Sequence, residues 1–193
     1  MIRRKKGFVI RNLANLLTLI RLLLTLVILC CMQSLYKNDF DDSIFRYYVV
    51  LTCFVWASDF FDGKIARKLN IESRFGSLSD VTVDFIYVIS LHIQLTAYGM
   101  IPPVFLCVIL ERLLNFIITS VSISRMEHRS FNFVRDRVGR YVAASFFAIP
   151  IITCSLEKYT SVRNEIIDMV VLVELICSIY SSTSRIVKKK SIK

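Results

Sequence analysis

The sequence has few of the residues that break helices and few that usually bind transition metals. It contains 5 glycines, 3 prolines and 2 histidines in 193 residues. Its six cysteines show no C-x-x-C spacing, so we interpret them as small apolar packing residues and not as a metal site. The chain also lacks an internal repeat, a low-complexity linker and any sign of a second domain. We therefore expect a single domain over residues 1–193.

What the chain has in excess is apolar side chains. Hydrophobic residues make up 55% of it, and its mean hydropathy is +0.58. A soluble domain of this length rarely carries so much apolar surface, so the composition predicts an all-α integral membrane protein. Six apolar segments, each near the ~20 residues that cross a bilayer, lie at roughly 13–32, 44–67, 76–98, 101–124, 138–156 and 164–184. They predict a six-transmembrane-helix bundle.

The net charge of +10 comes from basic residues that stand between the apolar segments. They are not interleaved with aromatic residues on one face, so we expect no nucleic-acid partner. Most of them fall in alternate connections and at the two ends of the chain, which by the positive-inside rule predicts that both termini are cytoplasmic. The first apolar segment starts late, is long and lacks a small-residue cleavage site, so we expect a retained helix.

Four aspartates interrupt this apolar pattern. Asp59 and Asp62 are three residues apart in the second segment, and Asp80 and Asp84 are four apart in the third, so each pair occupies one face of a helix. An ionised carboxylate in hydrocarbon costs at least a few kcal/mol, and such residues usually face a bundle interior or a wet cavity. There they hold a cation or move a proton.

Small residues accompany the four acids. Gly63 and Ala66 continue the face of the second helix, and Gly76 precedes Asp80 by one helical turn. Two helices that meet along these faces would form an oxygen-rich pocket with room for a bulky phosphate ester. In the predicted topology this pocket lies at the cytoplasmic face, together with the first turns of the first helix.

The pattern D-x-x-D-G-x-x-A-R-x8-G-x3-D-x3-D over residues 59–84 resembles the signature of the CDP-alcohol phosphotransferase family. Residues 15–21 are similar to the N-x-x-T-x-x-R of that family's first membrane helix. The chain looks most like bacterial members of the phosphatidylglycerophosphate synthase type. The resemblance implies transfer of a phosphatidyl group from CDP-diacylglycerol to an alcohol, with release of CMP, in phospholipid biosynthesis. It also implies a homodimer in a bacterial plasma membrane with its active site facing the cytoplasm.

The same resemblance implies roles for the acids. Asp59, Asp62, Asp80 and Asp84 are expected at the metal ions. Asp84 is also expected to act as general base on the acceptor hydroxyl. A site built from aspartates without histidine or cysteine fits Mg²⁺ or Mn²⁺ better than zinc. We expect two such ions.

By resemblance, a second group of residues binds the nucleotide: Asn15, Thr18, Gly63, Ala66, Arg67 and Gly76. The glycines and the alanine would let the nucleotide approach the helices closely, and the polar side chains would hydrogen-bond its phosphates. Arg21 lies one turn beyond Thr18. It either belongs to this site or extends along the helix to the membrane interface.

Three arginines are candidates for binding the acceptor. Arg112 stands in the middle of the fourth apolar segment, where it needs a partner, either Glu111 or a facing Glu174, or binds an acceptor phosphate. Arg137 and Arg140 lie at the start of the fifth segment, where topology alone or an acceptor phosphate would explain them.

Some alternatives remain open. The third and fourth acids lie in the run Asp80-Val81-Thr82-Val83-Asp84-Phe85, which differs from the D-P-x-A-D-K of many relatives that make phosphatidylglycerophosphate or cardiolipin. Glycerol 3-phosphate is the leading acceptor, with inositol phosphate, serine and phosphatidylglycerol as alternatives. Outside this enzyme class, the acids would suit a non-catalytic membrane protein that binds or carries divalent cations, although transport favours acids near the bilayer midplane.

Overall fold

In the computed structural model the chain forms six α-helices. The structure describes residues 2–69, 74–126, 137–160 and 163–191, with side chains described at 16, 18–58, 79–118, 141–160 and 164–184. The helices are α1 (Ile2–Lys37), α2 (Asp42–Leu69), α3 (Arg74–Ala97), α4 (Pro103–Met126), α5 (Arg137–Tyr159) and α6 (Arg163–Ser191). The chain divides into two compact units, residues 1–90 and 91–193, and the boundary falls within α3.

In the first unit a tight turn joins α1 to α2. Asp39 and Phe40 adopt left-handed backbone conformations, and the Phe40 amide bonds the Leu35 carbonyl at 2.9 Å, which closes the end of α1. Asp41 then caps α2, because its Oδ1 accepts hydrogen bonds from the amides of Ser43 and Ile44 at 2.8 and 3.2 Å. The two helices pack against each other.

The buried residues of these two helices follow a regular register. On α1 they alternate four and three residues apart, at Arg21, Thr25, Ile28, Met32 and Leu35. On α2 they alternate three and four residues apart, at Phe45, Tyr48, Thr52 and Val55. Such spacing keeps one face of each helix against its neighbour. On this face of α1, Arg21 and Thr25 are polar, and the buried residues from Ile28 onwards are apolar. The polar part of the face marks where a site can form.

In the second unit α6 packs against both α4 and α5. The connection from α3 to α4 turns at Gly99, whose positive φ of 68° suits glycine, and α4 begins at Pro103. His92 is buried among aromatic side chains, with ring centroids 5.7 Å from Phe105 and 6.4 Å from Phe146. His92 is therefore a packed residue of this unit.

Over the described ranges the structure confirms the all-helical class, with six helices. Over the described residues, three stretches are long and apolar enough to cross a membrane: Thr18–Lys37, Tyr141–Tyr159 and Asn164–Ser184. Large apolar side chains on their outer faces are exposed, for example Leu23 at 54% and Ile179 at 59%. This is typical of helices that face lipid. Six spans, cytoplasmic termini and a single domain stay predictions.

Helix boundaries differ from the predicted segments at the two ends of the chain. α1 begins at Ile2 and α6 continues to Ser191, whereas the apolar segments cover 13–32 and 164–184. Lysine and arginine are good helix formers, so the basic flanks continue the helices beyond the apolar stretches. α5 also continues through Pro150 to Tyr159.

Candidate active site

Two polar contacts join α1 to α3. The Thr18 hydroxyl donates to Asp80 Oδ1 at 2.6 Å, and Arg21 Nη1 donates to Asp84 Oδ1 at 3.0 Å. From Thr18 to Arg21 and from Asp80 to Asp84, each helix advances by about one turn in the same direction. The two helices therefore run parallel here. Polar residues from the middle of α1 and the first turns of α3 therefore come together, as the sequence predicts.

Arg21 is almost completely enclosed, whereas its partner is partly open. The Arg21 side chain is 1% exposed and the Asp84 side chain 24%. The Thr25 hydroxyl, also buried, donates to the Arg21 carbonyl at 2.8 Å. A guanidinium that extends to the membrane interface would be exposed at its tip. The burial of Arg21 therefore contradicts an extension to the interface, and its contact with Asp84 joins it to one of the predicted site acids.

Asp80 and Thr18 form the second contact, and both are partly exposed. Thr18 was predicted to bind the nucleotide, and here its hydroxyl hydrogen bonds to the carboxylate of a predicted metal ligand. A hydroxyl that donates to a carboxylate keeps its oxygen lone pairs as acceptors. The nucleotide contact of Thr18 stays a prediction beside this observed one.

The other predicted site residues lie in the same helices, but their side chains are outside the described set. They are Asn15 of α1, Asp59, Asp62, Gly63, Ala66 and Arg67 of α2, and Gly76 of α3. Their helix positions are informative. By helical spacing alone, Asp59, Asp62 and Ala66 follow the buried Val55 by steps of four, three and four residues. That the two acids and the alanine share one face of a pocket stays a prediction.

The donor chemistry at α3 fits a hard divalent cation. Asp80 and Asp84 supply carboxylate oxygens, which Mg²⁺ and Mn²⁺ prefer. Asp80 accepts the Thr18 hydrogen bond on Oδ1. Its Oδ2 has no hydrogen-bond partner among the described residues. Within the described side chains no three His, Cys, Asp or Glu residues cluster, and Asp59 and Asp62 are not among those side chains. The aspartates present suit the predicted ion, and the complete ligand set stays a prediction.

A second polar cluster joins α4 to α6. Arg112, 4% exposed, donates to the hydroxyls of Ser181 and Ser182, the latter at 3.4 Å. Ser182 in turn donates to Glu111 Oε1 at 3.2 Å. Arg112 thus contacts α6, the helix of its candidate partner Glu174, but two turns beyond that residue. Glu174 itself makes no ion pair in the described structure. Burial and these hydrogen bonds favour a structural role for Arg112 over contact with an acceptor.

The sequence analysis overlooked Ser181 and Ser182 as partners of Arg112. A signal was available, because Glu174, Ser178, Ser181 and Ser182 fall on one face of α6, whose other residues from 169 to 180 are apolar. The remaining acceptor candidates, Arg137 and Arg140, lie in the first turn of α5, and their side chains are outside the described set.

Comparison with known proteins places these observations in a family. The family model described as CDP-alcohol phosphatidyltransferase matches residues 11–180. A Mycobacterium bovis protein named "Putative cardiolipin synthase" is 35% identical over 98 residues, which is 51% of this chain and 44% of that protein. Two Mycobacterium tuberculosis proteins of the same name match with the same identity and coverage. The chain therefore matches less than half the length of these relatives.

The family match includes helices of both compact units. It also contains the signature at residues 59–84 and the pairs Thr18–Asp80 and Arg21–Asp84. The match covers most of the chain, and the chain belongs to the CDP-alcohol phosphatidyltransferase family.

Proposed function

We propose that this protein is a metal-dependent transferase that moves a phosphatidyl group from CDP-diacylglycerol to an alcohol and releases CMP. The observation that carries the proposal is the pairing of Thr18 with Asp80 and of Arg21 with Asp84. It holds the last two acids of the family signature against polar residues in the middle of α1. A partly open carboxylate at Asp84 suits a residue that must reach an acceptor.

In the proposed reaction the acceptor hydroxyl oxygen bonds to the phosphorus that carries the diacylglycerol. The bond from that phosphorus to the oxygen bridging it to CMP breaks, and this oxygen leaves with CMP. The hydroxyl proton passes to the carboxylate of Asp84, which acts as general base. Asp84 is the candidate because it is the last acid of the signature and is more open than its partner Arg21.

Two Mg²⁺ or Mn²⁺ ions, when bound, would supply positive charge that stabilises the phosphates during transfer. Asp59, Asp62, Asp80 and Asp84 would hold them. Asn15, Thr18 and Arg67 would hydrogen-bond the nucleotide phosphates, and Gly63, Ala66 and Gly76 would leave space for the nucleotide. We further propose that the protein works as a homodimer in a bacterial plasma membrane with this site on the cytoplasmic side.

For the acceptor we propose a glycerol carrying a phosphate group, bound through Arg137 and Arg140. Glycerol 3-phosphate is the leading candidate. Phosphatidylglycerol is the second, and the name of the mycobacterial relatives favours it, because a phosphatidyl group added to phosphatidylglycerol gives cardiolipin. Inositol phosphate and serine are further alternatives.

The test is an assay of the purified protein in detergent with CDP-diacylglycerol, Mg²⁺ and each acceptor, measured as CMP release and lipid product. We expect CMP release with one phosphate-bearing glycerol acceptor and little with serine. Equal rates with all acceptors would contradict phosphate recognition. No CMP release with any of them, together with saturable Mn²⁺ binding, would favour the non-catalytic cation-binding alternative.

A further inference from the structure

One arginine of the first helix is neither a surface anchor nor a residue that a substrate can reach. Arg21 is 1% exposed, while the carboxylate that it contacts is 24% exposed. A ligand that enters the open side of Asp84 meets the acid and not the arginine. Arg21 can therefore influence the reaction through the carboxylate that it holds.

The contact with Arg21 restricts the orientation of the Asp84 carboxylate. Arg21 Nη1 holds Asp84 Oδ1 at 3.0 Å, and Thr25 ties the Arg21 backbone within α1. One turn away, Thr18 holds Asp80 at 2.6 Å. Two contacts one turn apart define both the distance and the axial register between α1 and α3. A carboxylate held in this way has little freedom to turn away from a reacting hydroxyl.

We infer that Arg21 is a positioning residue that orients the Asp84 carboxylate for proton transfer from the acceptor. This inference rests on the proposed function. The guanidinium is suited to the role because it is rigid, planar and always charged, whereas a lysine ammonium is a single point of charge on a flexible chain. Displacement of a reacting group by about 1 Å can cost about 10²-fold in rate.

The test compares Arg21→Gln and Arg21→Lys with the wild type, measured as kcat and as KM for CDP-diacylglycerol. Arg46→Gln is the matched control, because Arg46 is an exposed arginine in the same unit. For Arg21→Gln we expect kcat to fall by about 10²-fold with KM changed by less than about twofold. For Arg21→Lys we expect a smaller fall of about tenfold, since the charge is kept and the planar geometry is lost. Arg46→Gln should match the wild type.

Loss of a buried charge can prevent folding, so thermal unfolding in detergent accompanies the kinetics. If Arg21→Gln does not fold, Arg21→Lys decides the question, and the double variant Arg21→Gln/Asp84→Asn should recover part of the lost stability. Wild-type kcat in Arg21→Lys would overturn the inference. A raised KM for CDP-diacylglycerol at unchanged kcat would also overturn it, because that result assigns Arg21 to nucleotide binding.

The outcome separates this inference from the proposed function. A wild type that releases no CMP with any acceptor overturns both. An active wild type with an unaffected Arg21→Gln variant overturns only the role of Arg21.

Discussion

Among the side chains that the structure describes, two buried arginines lie in polar clusters, and their partners differ. Arg21 of α1 contacts Asp84, an acid that is partly open, while Arg112 of α4 contacts the neutral hydroxyls of Ser181 and Ser182. In each case a buried guanidinium requires compensation, because an uncompensated charge in a low-dielectric interior is strongly destabilising. The first contact leaves an acid available for chemistry. The second uses the arginine to connect two helices.

The comparison shows that burial of a charged residue does not by itself identify a functional site. What distinguishes the α1–α3 cluster is the partly exposed carboxylate at its edge, in a family whose signature contains that acid. At the α4–α6 cluster the exposed acid is Glu111, which reaches Arg112 through Ser182. Both clusters contain a carboxylate, so matched substitutions can separate their roles.

The largest expected effect is that of metal removal. EDTA should abolish CMP release and added Mg²⁺ or Mn²⁺ should restore it, because transfer of the phosphatidyl group requires compensation of negative charge. Asp80→Asn should raise the Mg²⁺ concentration needed for half-maximal activity, whereas Glu111→Gln should not. The measurement is CMP release across a Mg²⁺ titration. Full activity in chelator would contradict the proposed mechanism.

The next effect concerns the general base. Asp84→Asn should lower kcat by about 10²-fold or more while KM for CDP-diacylglycerol stays close to that of the wild type, since an amide keeps the shape but accepts no proton. Glu111→Gln is the matched control in the other cluster and should keep wild-type kcat. Steady-state CMP release measures both variants. If Asp84→Asn kept more than about a tenth of the wild-type rate, the assignment of the base would be wrong.

A smaller effect tests where the acceptor binds. Arg137→Gln or Arg140→Gln should raise KM for a phosphate-bearing acceptor by about tenfold, because a charge-assisted hydrogen bond contributes roughly 1.5–3 kcal/mol. KM for CDP-diacylglycerol should be nearly unchanged. Arg112→Met should leave KM for the acceptor as in the wild type. A rise in that constant for Arg112→Met alone would move the acceptor contact to the α4–α6 cluster.

The smallest expected effect on catalysis belongs to Arg112. Arg112→Met should lower the free energy of unfolding by about 1.5–3 kcal/mol, because it removes hydrogen bonds from a charged group to Ser181 and Ser182. Its kcat, measured on the folded fraction, should stay within about twofold of the wild type. Thermal unfolding in detergent gives the change in stability. Unchanged stability with a large loss of kcat would contradict the structural role.

Sequence and structure agree best where the signal is repeated along the chain. Apolar segments of nearly bilayer length predict six helices, and the described part of the chain contains six. The spacing of Asp80 and Asp84 predicts one helix face, and both acids contact α1. Arg21 was ambiguous because an arginine at that point of the first apolar segment can either face a partner within the protein or extend to the membrane interface. Its place in the buried register with Thr25 and Ile28 is visible only once the packed face of α1 is known.

The sequence alone therefore determined the helical class, the family and the acids of the signature, because hydropathy and residue spacing along a helix are local properties. Only the tertiary structure decided that Arg21 pairs with Asp84 and that Arg112 contacts Ser181 and Ser182 and not Glu174. The partner of a charged side chain depends on the axial register between two helices. That register is set by packing of residues far apart in the chain, and no local pattern contains it.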